Sequence, residues 1–244
     1  MAQRHILDSL PLTDPTSTHT VERADERADG ARIAATQLGP ERVYDRGATV
    51  VSQGEHSPGL YLVRKGLLQE AAVSQEGRWF VHDVLGPGDV FGSMAARAPS
   101  LTTVRTIRQS TLVSISATTL SDVLHRRPEV GWWLLARVER RLARAQVVAH
   151  DLAWSDVPSR VRRRLHALAC SHGTPVAGGM RIDVPLTQED LGAMVGAARE
   201  TVNRVVVGLI AAGAVRLERR RYVLREALID DDAGLDRWPS RSLP

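Results

Sequence analysis

Residues 186–215, LTQEDLGAMVGAARETVNRVVVGLIAAGAV, carry the clearest structural pattern in the chain. Thr187 and Asp190 have the spacing of a capping box, with Asp in the place of the usual Glu or Gln, so a helix is predicted to begin here. Gly196 supplies a tight turn, and a second helix is predicted over residues 198–211 before Gly213 ends it. Two short helices joined by such a turn indicate a helix-turn-helix.

The second helix divides into an apolar and a polar face. The helical period of 3.6 residues per turn places five apolar side chains on the inner face: Val202, Val205, Val206, Leu209 and Ile210. Near the start of the helix the polar face carries Arg199, Glu200, Asn203 and Arg204, at the place where a recognition helix presents side chains to the major groove. The alternative interpretation is an ordinary helical hairpin with a charged face.

A short hairpin is predicted to follow the second helix. Residues 214–217 and 222–224 are apolar enough to pair as strands around the charged segment Glu218-Arg-Arg-Arg221. The segment 156–226 is therefore predicted to be a winged helix-turn-helix domain with a basic wing.

The charge of the chain supports a nucleic-acid partner. The net charge is +4, but residues 156–225 alone hold 12 Arg and 6 acidic residues, or about +6. Basic charge concentrated in one segment is typical of nucleic-acid binding, although a solvated Arg-rich surface would give the same count. The tail, residues 227–244, is acidic.

Composition excludes several other classes of protein. The single cysteine, Cys170, excludes an internal disulfide framework and a Cys-rich zinc or iron–sulfur site. We find neither a G-x-S-x-G nor an H-E-x-x-H motif, nor any nucleophile–base pair, so an enzyme is not expected. No metal site is expected. With no run of about 20 apolar residues and no secretory signal, we expect no membrane association and a cytoplasmic location.

The residue pattern in the first half of the chain is typical of a β domain. After a polar extension over residues 1–40, predicted to be flexible, short β-branched runs alternate with Gly, Pro and Asp between residues 41 and 128. Four strands are predicted, at Thr49–Ser52, Leu60–Val63, Trp79–Leu85 and Thr111–Ile115. Strands at intervals of about 8–12 residues are typical of a sandwich or barrel.

A long helix is predicted over residues 129–155. It carries an apolar seam at alternating spacings of three and four residues, which we call the α-seam: Leu135, Val138, Leu142, Ala145, Ala149 and Leu152. Such a narrow seam packs against another helix. The partner is either within the same chain or the same helix of a second copy. We expect a homodimer, because the preceding strands offer no partner helix.

The chain resembles the CRP/FNR family of bacterial regulators over roughly residues 40–225. The residues that carry the resemblance are the helix-turn-helix stretch above, VVSQGEHSPGLYLVRKG at 50–66 and GPGDVFG at 86–92. It implies an α+β protein. The expected order is an antiparallel jelly-roll (double-stranded β-helix) domain with a cyclic-nucleotide-type site, a coiled-coil dimerisation helix, and the winged helix-turn-helix.

The resemblance also implies how DNA is bound. Arg199 and Arg204 would donate to guanines and Glu200 would accept from a cytosine amino group, pairings that are geometrically sound. A half-site close to TGTGA is implied. Contacts to phosphate are implied for Thr187, Gln188, Thr201 and the wing at Arg219, with Arg220 beside it. The expected partners are double-stranded DNA and a second copy of the chain, and contact with RNA polymerase is left open.

The sensor site departs from the family's pattern. Nucleotide-binding members keep a Glu after the glycine of the phosphate cassette and, about ten residues later, an Arg followed by Ser or Thr. Here Ser93 follows Gly92, and Thr102 and Thr103 stand in a stretch without that Arg. On the long helix, Gln146 is the remaining hydrogen-bonding residue of the pair that contacts adenine. We therefore expect a degenerate site that needs no cofactor and binds cyclic AMP weakly or not at all.

Two alternative functions stay open at this point. Cys170 follows His166 by four residues on a predicted helix, with Arg163 one turn further back, and a neighbouring cation favours a reactive thiolate. The chain is then a redox- or thiol-responsive regulator, unless Cys170 is only a small packed residue. The other alternative is a cyclic-nucleotide-binding regulatory module of a larger system.

Overall fold

The computed structural model describes residues 38–57, 59–93, 99–218 and 221–225. Its N-terminal half is built from antiparallel strands. All four predicted strands are confirmed, although the predicted segment Thr49–Ser52 extends one residue beyond its strand. The strands are β1 (Glu41–Tyr44), β2 (Thr49–Val51), β3 (Leu60–Lys65), β4 (Leu68–Val73), β5 (Trp79–Leu85), β6 (Val90–Gly92), β7 (Thr103–Thr106) and β8 (Ser110–Ile115).

These strands form two facing sheets. The strand order is β1-β8-β3-β6 in one sheet and β2-β7-β4-β5 in the other, and every pair is antiparallel. Alternate side chains point between the sheets, where Phe91, Leu68, Leu85 and Leu112 are almost fully buried. The predicted jelly roll is thus confirmed, and we refer to it as the roll. Leu38, just before β1, is also buried.

The tight connection between β3 and β4 depends on a glycine. Gly66 has a φ of 98°, and a Cβ at this position would come within 2.2 Å of the Ser110 Oγ atom. A side chain here would be strained in its backbone and blocked by its neighbour. Gly66 therefore fixes where β4 begins.

Two helices follow the roll, of which the sequence predicted only the longer. Helix α1 (Ala117–Arg126) is capped by Ser116, whose hydroxyl accepts from the Thr119 amide at 3.1 Å. Leu120 and Val123 are buried, and α1 packs against the start of the next helix. The expectation that no helix precedes the long one was therefore wrong, because its short apolar face was missed.

Helix α2 (Glu129–Trp154) begins directly after Pro128, as predicted. All six α-seam residues are exposed, with Leu135, Val138 and Leu142 exposed to 49%, 62% and 58%. Helix α1 leaves this seam uncovered. Apolar side chains in a row with this exposure indicate a surface that another molecule covers.

The C-terminal part contains three further helices and a four-stranded sheet. The order of the sheet is β11-β12-β10-β9. The elements are α3 (Val157–His172), β9 (Gly173–Val176), β10 (Gly179–Ile182), α4 (Gln188–Val195), α5 (Arg199–Ala211), β11 (Val215–Glu218) and β12 (Arg221–Leu224). Asp156 caps α3 by accepting from the Ser159 amide at 2.9 Å, and β11 and β12 form the predicted hairpin.

The roll and the C-terminal part share one apolar core. Leu67, Ala71, Val81 and Val84 of the roll belong to the same buried cluster as the side chains from α3, α4 and α5. Helix α4 packs against β5. Because burial of this kind is the main stabilising term in folding, the two parts stabilise each other.

Polar contacts complete this junction. The His172 Nε2 atom lies 3.0 Å from the Val84 carbonyl oxygen, and Arg164 donates to the His82 carbonyl at 3.3 Å. Burial lowers the pKa of both side chains and raises the pKa of Asp89 nearby. Burial at this junction thus disfavours the charged forms of these three side chains. Within the described residues, no helix combines the length and the apolar character that crossing a bilayer requires.

Candidate functional site

The helix-turn-helix begins with the capping box that the sequence predicts. The Thr187 hydroxyl accepts from the Asp190 amide at 3.0 Å, and the Asp190 carboxylate accepts from the Thr187 amide at 2.8 Å. Both bonds satisfy amides that a helix start would otherwise leave without partners. Helix α4 is thereby held rigidly at its N-terminus, where Thr187 and Gln188 lie at the surface.

The turn between the two helices is tight. Gly196 has a φ of 62°, in the left-handed region, and the Ala197 amide donates to the Gly192 carbonyl at 3.1 Å. Arg160 of α3 donates to the Val195 carbonyl at 2.7 Å, which satisfies an acceptor at the end of α4. The angle between α4 and α5 is therefore fixed by local bonds as well as by packing.

The predicted base-reading residues lie together on the outer face of α5. Arg199, Glu200, Asn203 and Arg204 are all exposed, whereas Val202 and Val206 are fully buried behind them. The inward direction predicted for Ile210 was wrong, since 40% of it is exposed near the end of the helix. One face of α5 thus packs in the core, and the first turn and a half of the other face is available to a ligand.

Local bonds orient part of this face. The Gln188 Nε2 atom donates to the Asn203 Oδ1 atom at 2.8 Å, which links α4 to α5. The Arg204 Nη2 atom donates to the Thr201 Oγ1 atom at 3.4 Å, across one turn of α5. Side chains that are held before binding lose less entropy when they meet their target.

The basic wing is partly described. Arg216 pairs with Glu218 at 2.7 Å, and Arg221 pairs with Asp183 at 2.8 Å. Burial raises the pKa of Asp183, but hydrogen bonds from Thr174 and Arg181 and the charges of Arg181 and Arg221 together hold it below its ordinary value. These arginines thus hold the wing in place. Arg219 and Arg220, which the sequence predicts to contact DNA, lie outside the described residues.

The predicted ligand residues of the roll are only partly brought together. Gly92 ends β6 with a φ of 98°, and the Ser93 amide donates to the Gly59 carbonyl at 3.3 Å. Thr103 accepts from the Gln53 amide at 3.0 Å through its hydroxyl, and Gln146 is exposed on α2. Among the predicted ligand residues, Thr102 has a hydroxyl that reaches a carboxyl side chain.

That side chain is Glu70 on β4, which the sequence analysis missed. The Thr102 Oγ1 atom donates to Glu70 at 2.8 Å, and Arg141 of α2 donates to the same carboxylate. Arg141 also donates to the Val90 carbonyl at 3.0 Å. The signal that could have found Glu70 is an acidic residue inside the apolar strand Leu68–Val73, because carboxylates are rarely buried without a partner.

The surroundings of Cys170 are partly as predicted. The Cys170 Sγ atom lies 3.4 Å from the His166 Nε2 atom on the same face of α3. Arg163 is paired with Asp151, with 2.6 Å between the Nη2 and Oδ1 atoms. His166 is therefore the basic side chain beside the thiol. In the part of the chain that the structure describes, no group of three His, Cys, Asp or Glu side chains could hold a metal ion.

Comparison with known families matches both parts of the chain. Residues 41–127 match the cyclic nucleotide-binding domain, and residues 159–230 match the Crp-like helix-turn-helix domain. The two matched segments coincide with the roll plus α1 and with the C-terminal domain.

Individual relatives agree. The CRP-like cAMP-activated global transcriptional regulator of Mycobacterium tuberculosis H37Rv is 33% identical over 186 residues, which span 75% of this chain and 83% of that protein. The cAMP-activated global transcriptional regulator CRP of Haemophilus influenzae is 29% identical, over 67% of this chain and 74% of that protein. A solved CooA variant from Carboxydothermus hydrogenoformans has a TM-score of 0.70 at 17% identity, over 81% of this chain and 88% of that one.

Proposed function

The chain belongs to the CRP/FNR family of transcription regulators, and from this premise we propose that it acts as a homodimer on an inverted repeat of TGTGA-like half-sites. Membership of this family establishes that the chain is a transcription regulator that binds DNA through its helix-turn-helix. Beyond family membership, we propose the operator sequence, the homodimer and the loss of the sensor domain's response to cyclic AMP.

The observation that carries the DNA-binding proposal is the outer face of α5. Two arginines and one glutamate are exposed on the first turn and a half of α5, a helix whose opposite face packs in the core. Arginine forks suit the O6 and N7 atoms of guanine, and a carboxylate suits the N4 amino group of cytosine. A helix of this length contacts about 3–5 base pairs, so two copies are needed for a specific operator.

The α-seam supports the dimer, and we commit to a second copy of this chain as its partner. Six exposed apolar residues at spacings of three and four match the same seam on an identical helix. A twofold axis along α2 would place the two recognition helices in successive major grooves, with half-sites about 34 Å apart. The RNA polymerase contact is a further expectation of this function.

The sensor proposal follows from the residues at Gly92–Ser93 and Thr102–Thr103. The Glu and Arg on which nucleotide-binding members of the family depend are replaced, and an Arg–phosphate bond contributes about 1.5–3 kcal/mol. We expect cyclic AMP to bind this chain at least about tenfold more weakly than it binds members that keep the Arg, and operator binding to be independent of it.

One titration tests the proposed function. The purified full-length chain is titrated into a labelled palindromic TGTGA operator, a copy with one half-site scrambled and random DNA, each with and without cyclic AMP. We expect tight binding to the palindrome only, with no change on adding the nucleotide. Equal affinity for all three DNAs would reject the assigned face of α5, and a strong response to the nucleotide would reject the degenerate sensor.

We further propose a thiol response as a second function, because the His166 imidazole lies 3.4 Å from the Cys170 sulfur. A thiolate held beside an imidazolium attacks hydrogen peroxide, displaces hydroxide and becomes a sulfenic acid. Because α3 carries Cys170 in the DNA-binding domain, oxidation of the thiol would alter the structure close to the helix-turn-helix.

A further inference from the structure

The sensor site of the roll contains a carboxylate that belongs to the chain itself. Glu70 is only 6% exposed, and no other charged residue that the structure describes is exposed so little. It lies on β4 opposite Val104 of β7, one step from the loop that carries Thr102. An ionised carboxylate in such a place is stable only when donors surround it.

Two donors converge on Glu70 from different parts of the molecule. Thr102 donates from the loop before β7, at 2.8 Å, and Arg141 donates from α2. The guanidinium of Arg141 also contacts the Val90 carbonyl oxygen in the GPGDVFG stretch that precedes Ser93. An arginine and a hydroxyl at the junction of cassette, loop and long helix form a set of donors suited to an anion.

This set of donors is already occupied. An anionic ligand that took the Arg141 and Thr102 bonds would have to displace Glu70, and it would leave that carboxylate buried without a partner. Removing one partner of a buried pair is strongly destabilising, and two anions close together repel each other as well. The missing cassette residues therefore give only part of the reason why an anion should bind poorly here.

We propose that Glu70 is a built-in anion that determines the specificity of the sensor site: it holds Arg141 and Thr102 and so excludes anionic ligands such as a cyclic nucleotide. The inference rests on the proposed function only in taking the roll as the sensor domain. The pair of Glu70 and Arg141 also links β4 to α2. The chain itself therefore supplies a contact between roll and long helix that a bound anion could otherwise make.

The test measures whether removing the carboxylate opens the site. Full-length Glu70→Gln and Glu70→Ala variants are titrated with cyclic AMP by calorimetry, without DNA. Gln keeps the shape of the side chain and a bond to Thr102 while removing the charge. We expect both variants to bind cyclic AMP at least tenfold more tightly than the original chain, since an Arg bond to an anion is worth about ten- to a hundredfold in affinity.

Asp83→Asn is the matched control. Asp83 of β5 pairs with Arg144 of α2 at 3.1 Å, so it is also an ion pair between roll and long helix, but it has no bond to Thr102 or Arg141. It should leave cyclic AMP affinity unchanged. Adding Arg141→Met to Glu70→Gln should abolish the gain, because the unmasked donor is then gone.

Two results would overturn the inference. The first is a folded Glu70→Gln variant, judged by circular dichroism, whose cyclic AMP affinity equals that of the original chain. The second needs no variant: the original chain binding cyclic AMP more tightly than neutral adenosine would show that the site does not exclude an anion. Operator binding is measured separately, so failure of DNA binding rejects the proposed function and leaves this inference standing.

Discussion

At the scale of single residues, Arg204 gives the sharpest test of the recognition helix. Its guanidinium is exposed on α5 and lies 3.4 Å from the Thr201 hydroxyl. If it reads a guanine, Arg204→Ala should cost about 1–3 kcal/mol on the TGTGA palindrome and relax the preference for the base that it reads. Fluorescence anisotropy on specific and random DNA measures both effects.

The control for Arg204 is Arg220→Ala in the wing sequence. If Arg220 contacts only phosphate, this variant should weaken binding to every DNA alike and lower the slope of log affinity against log salt by about 1. An Arg204→Ala variant that loses affinity equally on all sequences would instead identify Arg204 as a phosphate contact.

Cys170 gives a second prediction at this scale. Peroxide treatment should change operator affinity if the thiol responds, and Cys170→Ser should abolish the change while keeping the size of the side chain. His166→Gln should slow the reaction with peroxide without removing it, because the neighbouring imidazole only favours the thiolate. Identical responses of the original chain and Cys170→Ser would leave Cys170 as a packing residue.

The sequence predicted single residues well where the rule is local. The Thr187–Asp190 capping box depends on neighbours three residues apart, and both of its bonds are present. It missed Glu70 and Arg141 because they are 71 positions apart in the chain and meet only once α2 has packed against the roll. The direction of Ile210 was wrong because the core ends before the last turn of α5.

At the scale of elements, the capping box of α4 should contribute measurably to stability. Thr187→Ala removes the acceptor for the Asp190 amide and should lower the free energy of unfolding by about 1 kcal/mol. Thr187→Ser keeps the hydroxyl and should retain most of that stability. Urea unfolding of the three chains measures the difference, and an alanine variant as stable as the original would mean that the cap is replaced by another partner.

Helix α2 gives the prediction on assembly. Leu142→Glu places two like charges in the α-seam of a dimer and should weaken association by at least about 2 kcal/mol, or roughly 30-fold. Ala143→Glu puts the same charge one residue off the seam and should leave the dimer intact. Sedimentation velocity distinguishes the two, and a Leu142→Glu variant that remains dimeric would show that the interface lies elsewhere.

Elements were predicted correctly from the sequence where their apolar pattern runs over many residues. The α-seam runs through six positions and gave α2 correctly, whereas α1 spans 10 residues and buries only Leu120 and Val123. Its Ser116 cap was visible in the sequence, but its apolar face is too short for a periodic pattern to stand out.

At the scale of the whole molecule, the junction between roll and DNA-binding domain should make stability depend on pH. Burial lowers the pKa of His172 in the folded chain, while the unfolded chain keeps a value of about 6.5. As the pH falls below 6.5, the unfolded chain binds the proton first. The contribution of this group is therefore fully present above that pH and is lost as the pH falls through the folded-state pKa.

The experiment compares His172→Gln with the original chain by urea unfolding between pH 5 and 8. The loss of stability at low pH should be smaller in the variant, and the difference isolates the imidazole from Asp89, whose raised pKa acts in the opposite direction. His125→Gln, at an exposed position of α1, is the control for replacing an imidazole outside the junction. Equal curves for His172→Gln and the original chain would contradict the assignment.

Because roll and recognition domain share a core, we expect DNA to act as an effector of the roll. Coupling between two sites is reciprocal: any factor by which the state of the roll changes operator affinity must appear again as the factor by which the operator changes the roll. Helix α4 packs on β5, so DNA bound at α5 acts one helix away from the sheet that carries Glu70. We therefore expect each operator to set how readily the protein bound to it responds to a signal.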